Sequence, residues 1–176
     1  GTDEHGNPAA RAARERGLTP AEHVDEMVER FRALAARVNA SNDFFIRTTD
    51  EEHCRVVQSF IQELYDRGEI YKKAYSGLYC SSCEAYYTEK ELVDGKCPDH
   101  GTVPELVEEE NYFFRLSKYQ QALLDHFESQ PDFILPATRF NEARSFISQG
   151  LDDISISRAT LQWGIPVPWD ESQVIY

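Results

Sequence analysis

Four residues in the middle of the chain have the types and the spacing of a metal site. Cys80 and Cys83 are separated by two residues, Cys97 and His100 are separated in the same way, and residues 84–96 lie between the pairs. A two-residue gap lets one turn aim both side chains at one ion, and two such turns supply the four ligands of a tetrahedral zinc site. Three thiolates and one imidazole leave no position for water. The spacing therefore predicts a structural zinc ion, one per chain.

The same cysteines allow other interpretations. Cys80 and Cys83 could form a thioredoxin-like redox pair, or the cysteines could be unrelated buried residues. A redox pair usually opens a helix after a strand, whereas Cys80 follows an aromatic stretch and precedes the acidic and aromatic residues 84–87. This context favours the metal site. Cys54, on a predicted helix, is interpreted as a small core or surface residue and not as a fifth ligand.

Helices with recognisable ends must support this cluster. Thr19 and Glu22 have the spacing of a capping box before a helix with a periodic apolar face, and Thr49 and Glu52 predict a second one. Gly68 is placed to end that second helix in the left-handed conformation.

Extended segments and a small insert complete the pattern. Residues 70–79 are strand-like, with a Ser76-Gly77 turn that predicts a hairpin. Glycines, prolines and cysteines then crowd residues 79–110, after which a strand at 111–116, a helix at 138–148 and two short strands near 155 and 166 follow. The alternation predicts an α/β layer fold with a small metal-pinned insert.

Composition limits the partners of the chain. Its 18 Lys and Arg residues face 31 Asp and Glu residues, which gives a net charge of −13. A chain of this charge should bind RNA poorly by itself, because phosphates are repelled. No stretch is apolar enough for a membrane span, and a cytoplasmic location is expected. The chain starts at Gly1 and its only methionine is Met27, so we expect it to be a fragment of a longer protein.

Several stretches, in order along nearly the whole chain, resemble the methionyl-tRNA synthetase family of the bacterial type with one zinc knuckle. They are GTDEHG (1–6), GLYCSSCE (77–84), EEENYFFRLS (108–117), DISISR (153–158) and WGIPVP (163–168). The resemblance implies a Rossmann-like class I catalytic domain, formed here by residues 1–73 and 111–176, with residues 74–110 as the connective insert that carries the knuckle.

The resemblance also implies an activity and two site residues. The family uses ATP, with magnesium, to convert methionine to methionyl-adenylate, and then transfers the methionyl group to tRNA. Asp3 matches the aspartate that holds the amino group of methionine, and Arg158 matches an arginine needed for adenylate formation. Without the resemblance, Asp3 would be interpreted as a helix cap or turn residue and Arg158 as a surface arginine. His5 belongs to the same motif, but no step is assigned to it.

Two family motifs are absent from this sequence, namely His-x-Gly-His and Lys-Met-Ser-Lys-Ser, which bind ATP in the family. The isolated chain is therefore expected to be inactive. The main alternative is a stand-alone zinc-knuckle module that binds another protein, and a weaker one is a redox protein. A synthetase should place Asp3 and Arg158 on a common pocket, whereas a binding module has no such requirement.

Overall fold

A computed structural model of the chain describes residues 1–83 and 85–176, which contain five α-helices and six β-strands. The helices are α1 (Asn7–Glu15), α2 (Pro20–Arg37), α3 (Glu51–Asp66), α4 (Gln120–Ser129) and α5 (Ala137–Ser148). The strands are β1 (Ile70–Cys80), β2 (Ala85–Tyr87), β3 (Glu105–Phe114), β4 (Ile154–Ser155), β5 (Ile165–Val167) and β6 (Asp170–Ile175). The predicted mixture of helices and strands is confirmed.

A long antiparallel ribbon joins the body of the molecule to the cysteine cluster. Strands β2, β1, β3 and β4 form one sheet in that order, and β5 pairs with β6 in a separate hairpin. Strands β1 and β3 pair from Ile70 opposite Phe114 to Tyr79 opposite Glu105. At the usual rise per residue the ribbon is about 30 Å long. It therefore places Cys80 at the end remote from Ile70.

The hairpin predicted at Ser76-Gly77 is wrong, because β1 is one continuous strand. Gly77 has a different reason to be glycine. A Cβ atom built there would lie 2.5 Å from Cε1 of Tyr75, so the ring of Tyr75 occupies the space that a side chain would need. A glycine within a strand often marks such a close approach.

The main apolar core lies where α3 packs against the ribbon and the β5–β6 hairpin. Its buried members come from four elements and are Ile61, Ile70, Tyr112 and Val167. Aromatic stacking extends it, since the rings of Tyr65 and Trp169 lie 4.0 Å apart and nearly parallel. The base of the ribbon is thus fixed by packing, as expected for a folded domain of this size.

The predicted helix ends are partly confirmed. Thr19 and Glu22 form the predicted capping box at the start of α2, and Gly68 follows α3 with a φ of 74°. The second capping box is wrong. Asp50 occupies the N-cap position of α3 without a side-chain hydrogen bond to the helix, and the Thr49 hydroxyl donates to Glu4 instead.

Parallel pairing, which a Rossmann-like sheet requires, is limited within the described residues to one bridge between Thr2 and Arg47. The apolar run 44–46, whose side chains are half-buried to exposed, precedes that bridge without forming a strand. None of the helices in the described residues is long and apolar enough to cross a membrane.

Candidate metal centre and substrate-site residues

Two turns bring the cysteine and histidine side chains together. The first follows β1 directly, so that Cys80 ends the strand and Cys83 closes the turn. A tight turn at Asp94 and Gly95, both with positive φ, precedes the second pair of ligands. The backbone N–H groups of Val93 and Lys96, on either side of this turn, each donate to the carbonyl of the other residue. Asp-Gly in this position is the typical sequence of a two-residue hairpin turn. Cys97 comes immediately after this turn.

The four candidate ligand atoms lie close enough to share one ion. The sulfur and nitrogen atoms of Cys80, Cys83, Cys97 and His100 all lie within 4.8 Å of one another. Sγ of Cys83 is 3.3 Å from Sγ of Cys97 and 3.0 Å from Nδ1 of His100. Tetrahedral zinc bonds of the usual length place thiolates about 3.8 Å apart. The donor set and its spacing therefore fit a four-coordinate zinc ion.

Hydrogen bonds around the cluster lower the pKa of Cys80 and Cys97 and so favour the thiolate that binds metal, whereas burial and the neighbouring thiols Cys97 and Cys80 raise the pKa of Cys83 to about 11. The Tyr87 hydroxyl donates to Sγ of Cys83 over 3.2 Å. Burial would raise the pKa of Cys97, but hydrogen bonds from Cys83 and from the backbone N–H groups of His100 and Asp99 lower it to about 7. Both Cys80 and Cys97 are 1% exposed. Cys83 is half-buried and His100 is exposed, so two of the four candidate ligands are shielded from solvent.

Arg158 lies beside two tyrosines that are close in sequence to the candidate metal ligands. Its backbone pairs with Val174 of β6, and its Nη1 donates to Oγ of Ser155 over 2.9 Å and to the carbonyl of Ser157 over 2.8 Å. The guanidinium carbon lies 5.4 Å from the ring centre of Tyr79 and 5.0 Å from that of Tyr86. These distances are typical of cation–π contacts.

The two tyrosines connect Arg158 to the metal cluster. Tyr79 on β1 lies opposite Tyr86 on β2. The next pair of residues, Cys80 opposite Ala85, closes the first turn. Burial and the nearby Glu109 carboxylate raise the pKa of Tyr86 to about 12. The ring is therefore neutral at physiological pH. Any distortion of the turn at Cys80 should reach Arg158 through these rings.

Asp3 lies in an extended segment that leads into α1. The side chain of Asp3 is exposed, that of Glu4 is buried, and His5 is half-buried against Trp163, with ring centres 5.4 Å apart. Gly6 caps α1 with a φ of 94°, a conformation that favours glycine. The side chains of Asp3 and Glu4 therefore point in different directions, with Asp3 toward solvent and Glu4 into the protein.

The buried carboxylate of Glu4 forms an ion pair with the half-buried Arg47, and local sequence patterns do not predict this pair. Nε of Arg47 donates to both carboxylate oxygens of Glu4, over 2.8 and 3.1 Å, and the hydroxyls of Thr2 and Thr49 donate to the same carboxylate. Burial would raise the pKa of Glu4, but these bonds outweigh it and lower the pKa. The partners lie more than 40 positions apart in the sequence, so no local spacing identifies the pair.

The predicted site residues do not line the same cavity. Asp3 lines one with Val24, Met27, Val28 and Phe31 of α2. Arg158 lines a second with Tyr79, Tyr86, Glu109 and Thr160, and a third near Tyr176. The expectation of a common pocket for Asp3 and Arg158 therefore stays a prediction. This geometric test does not separate an enzyme from a binding module.

Comparison with known proteins identifies the family of the chain. The family model described as tRNA synthetases class I (M) matches residues 1–102 and 99–176. The chain belongs to this family. It is 52% identical over 176 residues to a methionine–tRNA ligase of Caldanaerobacter subterraneus and 50% identical over 177 residues to that of Clostridium acetobutylicum. All of this chain is matched, but it spans only 28% of the length of these two relatives.

Solved structures of the class I family agree with this assignment. The chain superposes along its whole length on the Mycobacterium tuberculosis methionyl-tRNA synthetase in complex with methionyl-adenylate, with a TM-score of 0.92 and 42% identity. For the free state of the same synthetase, 89% of this chain is matched with a TM-score of 0.76. The chain covers 35% and 32% of those two structures. The predicted class I synthetase fold is confirmed.

Proposed function

We propose that this chain is part of the catalytic domain of a methionine–tRNA ligase. In the proposed reaction the carboxylate of methionine attacks the α-phosphorus of ATP and displaces pyrophosphate, and a tRNA hydroxyl then displaces AMP from the methionyl-adenylate. The observation that carries the proposal is the structural match of this whole chain to part of a synthetase solved with methionyl-adenylate. ATP with magnesium, methionine and tRNA are the proposed substrates of the whole protein.

Asp3 and Arg158 have the chemistry that the first step needs. The exposed carboxylate of Asp3 suits the ammonium group of methionine, because a charge-assisted hydrogen bond fixes both position and charge. The planar guanidinium of Arg158 is already oriented by Ser155 and two tyrosine rings. A preoriented cation stabilises negative charge as it develops on phosphate or carboxylate oxygens.

The proposed zinc ion is structural and lies in the connective insert, residues 74–110, between two parts of the catalytic domain, residues 1–73 and 111–176. Cys80, Cys83, Cys97 and His100 would hold it, and the reducing cytoplasm, which is the proposed location, keeps such thiols available. The net charge of −13 favours contact with tRNA through other parts of the protein, and the proposal includes no membrane partner.

The test uses a complete synthetase. This chain replaces the matching segment of the M. tuberculosis synthetase, and methionine-dependent exchange between ATP and pyrophosphate is measured. We expect exchange by the chimaera, a loss of at least about 100-fold in Arg158→Ala, and no exchange by the isolated chain. A folded, zinc-loaded chimaera without exchange would contradict the proposal and favour the knuckle-module alternative.

A further inference from the structure

We infer that Glu4 and Arg47 are positioning residues for amino-acid recognition, because their ion pair fixes the segment that presents Asp3. The inference rests on the proposed function and deepens it, since it names the groups that determine the affinity for the α-ammonium group of an amino acid. Neither residue needs to touch the substrate. Three independent attachments of Glu4 carry the argument.

The first attachment is the Glu4 side chain. It is 3% exposed and accepts hydrogen bonds from Arg47, from Thr2 over 2.6 Å and from Thr49. Its acceptors are therefore occupied by protein groups, and a carboxylate so enclosed is not available to a ligand. Its negative charge is balanced inside the protein by Arg47, which is itself only 17% exposed.

The second and third attachments hold the Glu4 backbone. Its N–H donates to Oγ1 of Thr48 over 2.9 Å, and its carbonyl accepts from Nε1 of Trp163 over 2.6 Å. The carbonyl of Trp163 also accepts from the Gly6 N–H, and its ring contacts that of His5. The peptide units on both sides of Glu4 are thus fixed. Asp3, its immediate neighbour, has little freedom to shift.

Arg47 ties this segment to two helices. Its Nη2 donates to Asp25 of α2 over 2.6 Å, and its backbone N–H donates to Asp50 at the start of α3 over 2.9 Å. Removing Arg47 would leave the buried Glu4 carboxylate without its cation, and such a group moves toward water or takes up a proton. A displacement of about 1 Å is enough to weaken a positioned contact strongly.

The experiment compares variants of the complete chimaeric synthetase in the methionine-dependent exchange assay. Arg47→Met should raise the KM for methionine at least tenfold and change the KM for ATP less than twofold. Arg47→Lys should recover part of the loss, and Glu4→Gln should resemble Arg47→Met. Arg55→Met is the matched control, because it removes the same charge from an exposed pair with Glu52 on α3. It should behave as wild type.

A second measurement does not depend on activity. Trp163 bonds to Glu4, so the tryptophan emission of the purified chain should shift in Arg47→Met and Glu4→Gln but not in Arg55→Met. Folded variants with an unchanged KM for methionine, or with equal rises for methionine and ATP, would overturn the inference. If Arg47→Met does not fold, the changes in KM for methionine and for ATP are compared in Arg47→Lys and Glu4→Gln instead. A wild-type chimaera without exchange would instead indicate failure of the proposed function.

Discussion

The segment around Asp3 and the region around Arg158 are stabilised by different interactions. The Asp3 segment is fixed by a buried ion pair and by backbone hydrogen bonds between parts of the protein body. Arg158 contacts two tyrosines on strands that end at the candidate zinc ligands. Buried protein charges hold the Asp3 segment, whereas the tyrosines beside Arg158 lie on strands that reach the proposed zinc site.

The difference follows from the apolar surface that each region can bury. Val93, Val103 and Leu106, in or beside the cysteine cluster, are 60%, 70% and 67% exposed, so few apolar side chains are buried there. Small domains of this kind depend on a metal for stability. The Asp3 segment lies instead against α2 and Trp163 and needs no such ion.

The largest expected effect is the loss of the metal. Cys97→Ser removes a thiolate ligand, and structural zinc contributes on the order of 10 kcal/mol to small metal-dependent folds. Elemental analysis should show about one zinc per wild-type chain and almost none in this variant. The matched control is Cys54→Ser, since Cys54 is a free cysteine outside the cluster and should leave the zinc content unchanged.

The next effect concerns the ion pair. Arg47→Met should lower the free energy of unfolding by about 3 kcal/mol, because breaking a buried pair leaves an uncompensated charge. Arg55→Met, which breaks an exposed pair, should change it by less than about 1 kcal/mol. Urea denaturation of both variants measures the difference. Equal losses of unfolding free energy would show that the Glu4–Arg47 pair stabilises the fold no more than an exposed pair does.

These two features differ in how well the sequence predicts them. Zinc ligands come in two short pairs, so local spacing alone identifies the cluster. Glu4 and Arg47 are ordinary residue types that meet only through the fold, and the spacing of Thr49 to Glu52 predicts a helix cap where Thr49 instead bonds to Glu4. Local patterns report local structure, whereas long-range polar contacts need the tertiary fold.

The same limit applies within the ribbon. The Ser76-Gly77 pair has the composition of a turn, but residues on β3 pair with β1 on both sides of it and keep the strand continuous. Pairing with a distant strand thus overrides a local preference. Asp3 and Arg158 are identified through family resemblance, and neither their separate cavities nor the tyrosines beside Arg158 follow from the sequence.

A smaller effect tests the link between the insert and Arg158. Replacing Tyr86 by Leu removes one cation–π contact, which is worth about 0.5–2 kcal/mol. In the chimaeric synthetase we expect kcat for exchange to fall up to about 30-fold while the KM for methionine stays constant. The control is Tyr71→Leu, since the ring of Tyr71 lies 4.2 Å from Arg115 and not near Arg158. A similar fall in the control would break the proposed link.

The smallest expected effect is a loss of stability at low pH. The pKa of Glu4 is lowered from its ordinary value of 4.5, so its contribution to stability is complete above that value and is lost as pH falls through the lowered pKa. Wild type should therefore lose more stability than Glu4→Gln between neutral pH and pH values below 4.5. Urea midpoints across this range measure the difference. Parallel curves for the two proteins would contradict the assignment.

The most direct test of the contrast between the two regions is hydrogen exchange of the purified, zinc-loaded chain with and without a chelator. We predict that removing zinc abolishes protection in peptides from residues 79–110 and leaves protection of α2, α3 and the segment around Glu4 intact. Uniform loss of protection in both regions, or no change in either, would contradict the proposal that zinc holds residues 79–110 and that the Glu4–Arg47 ion pair holds the segment around Asp3.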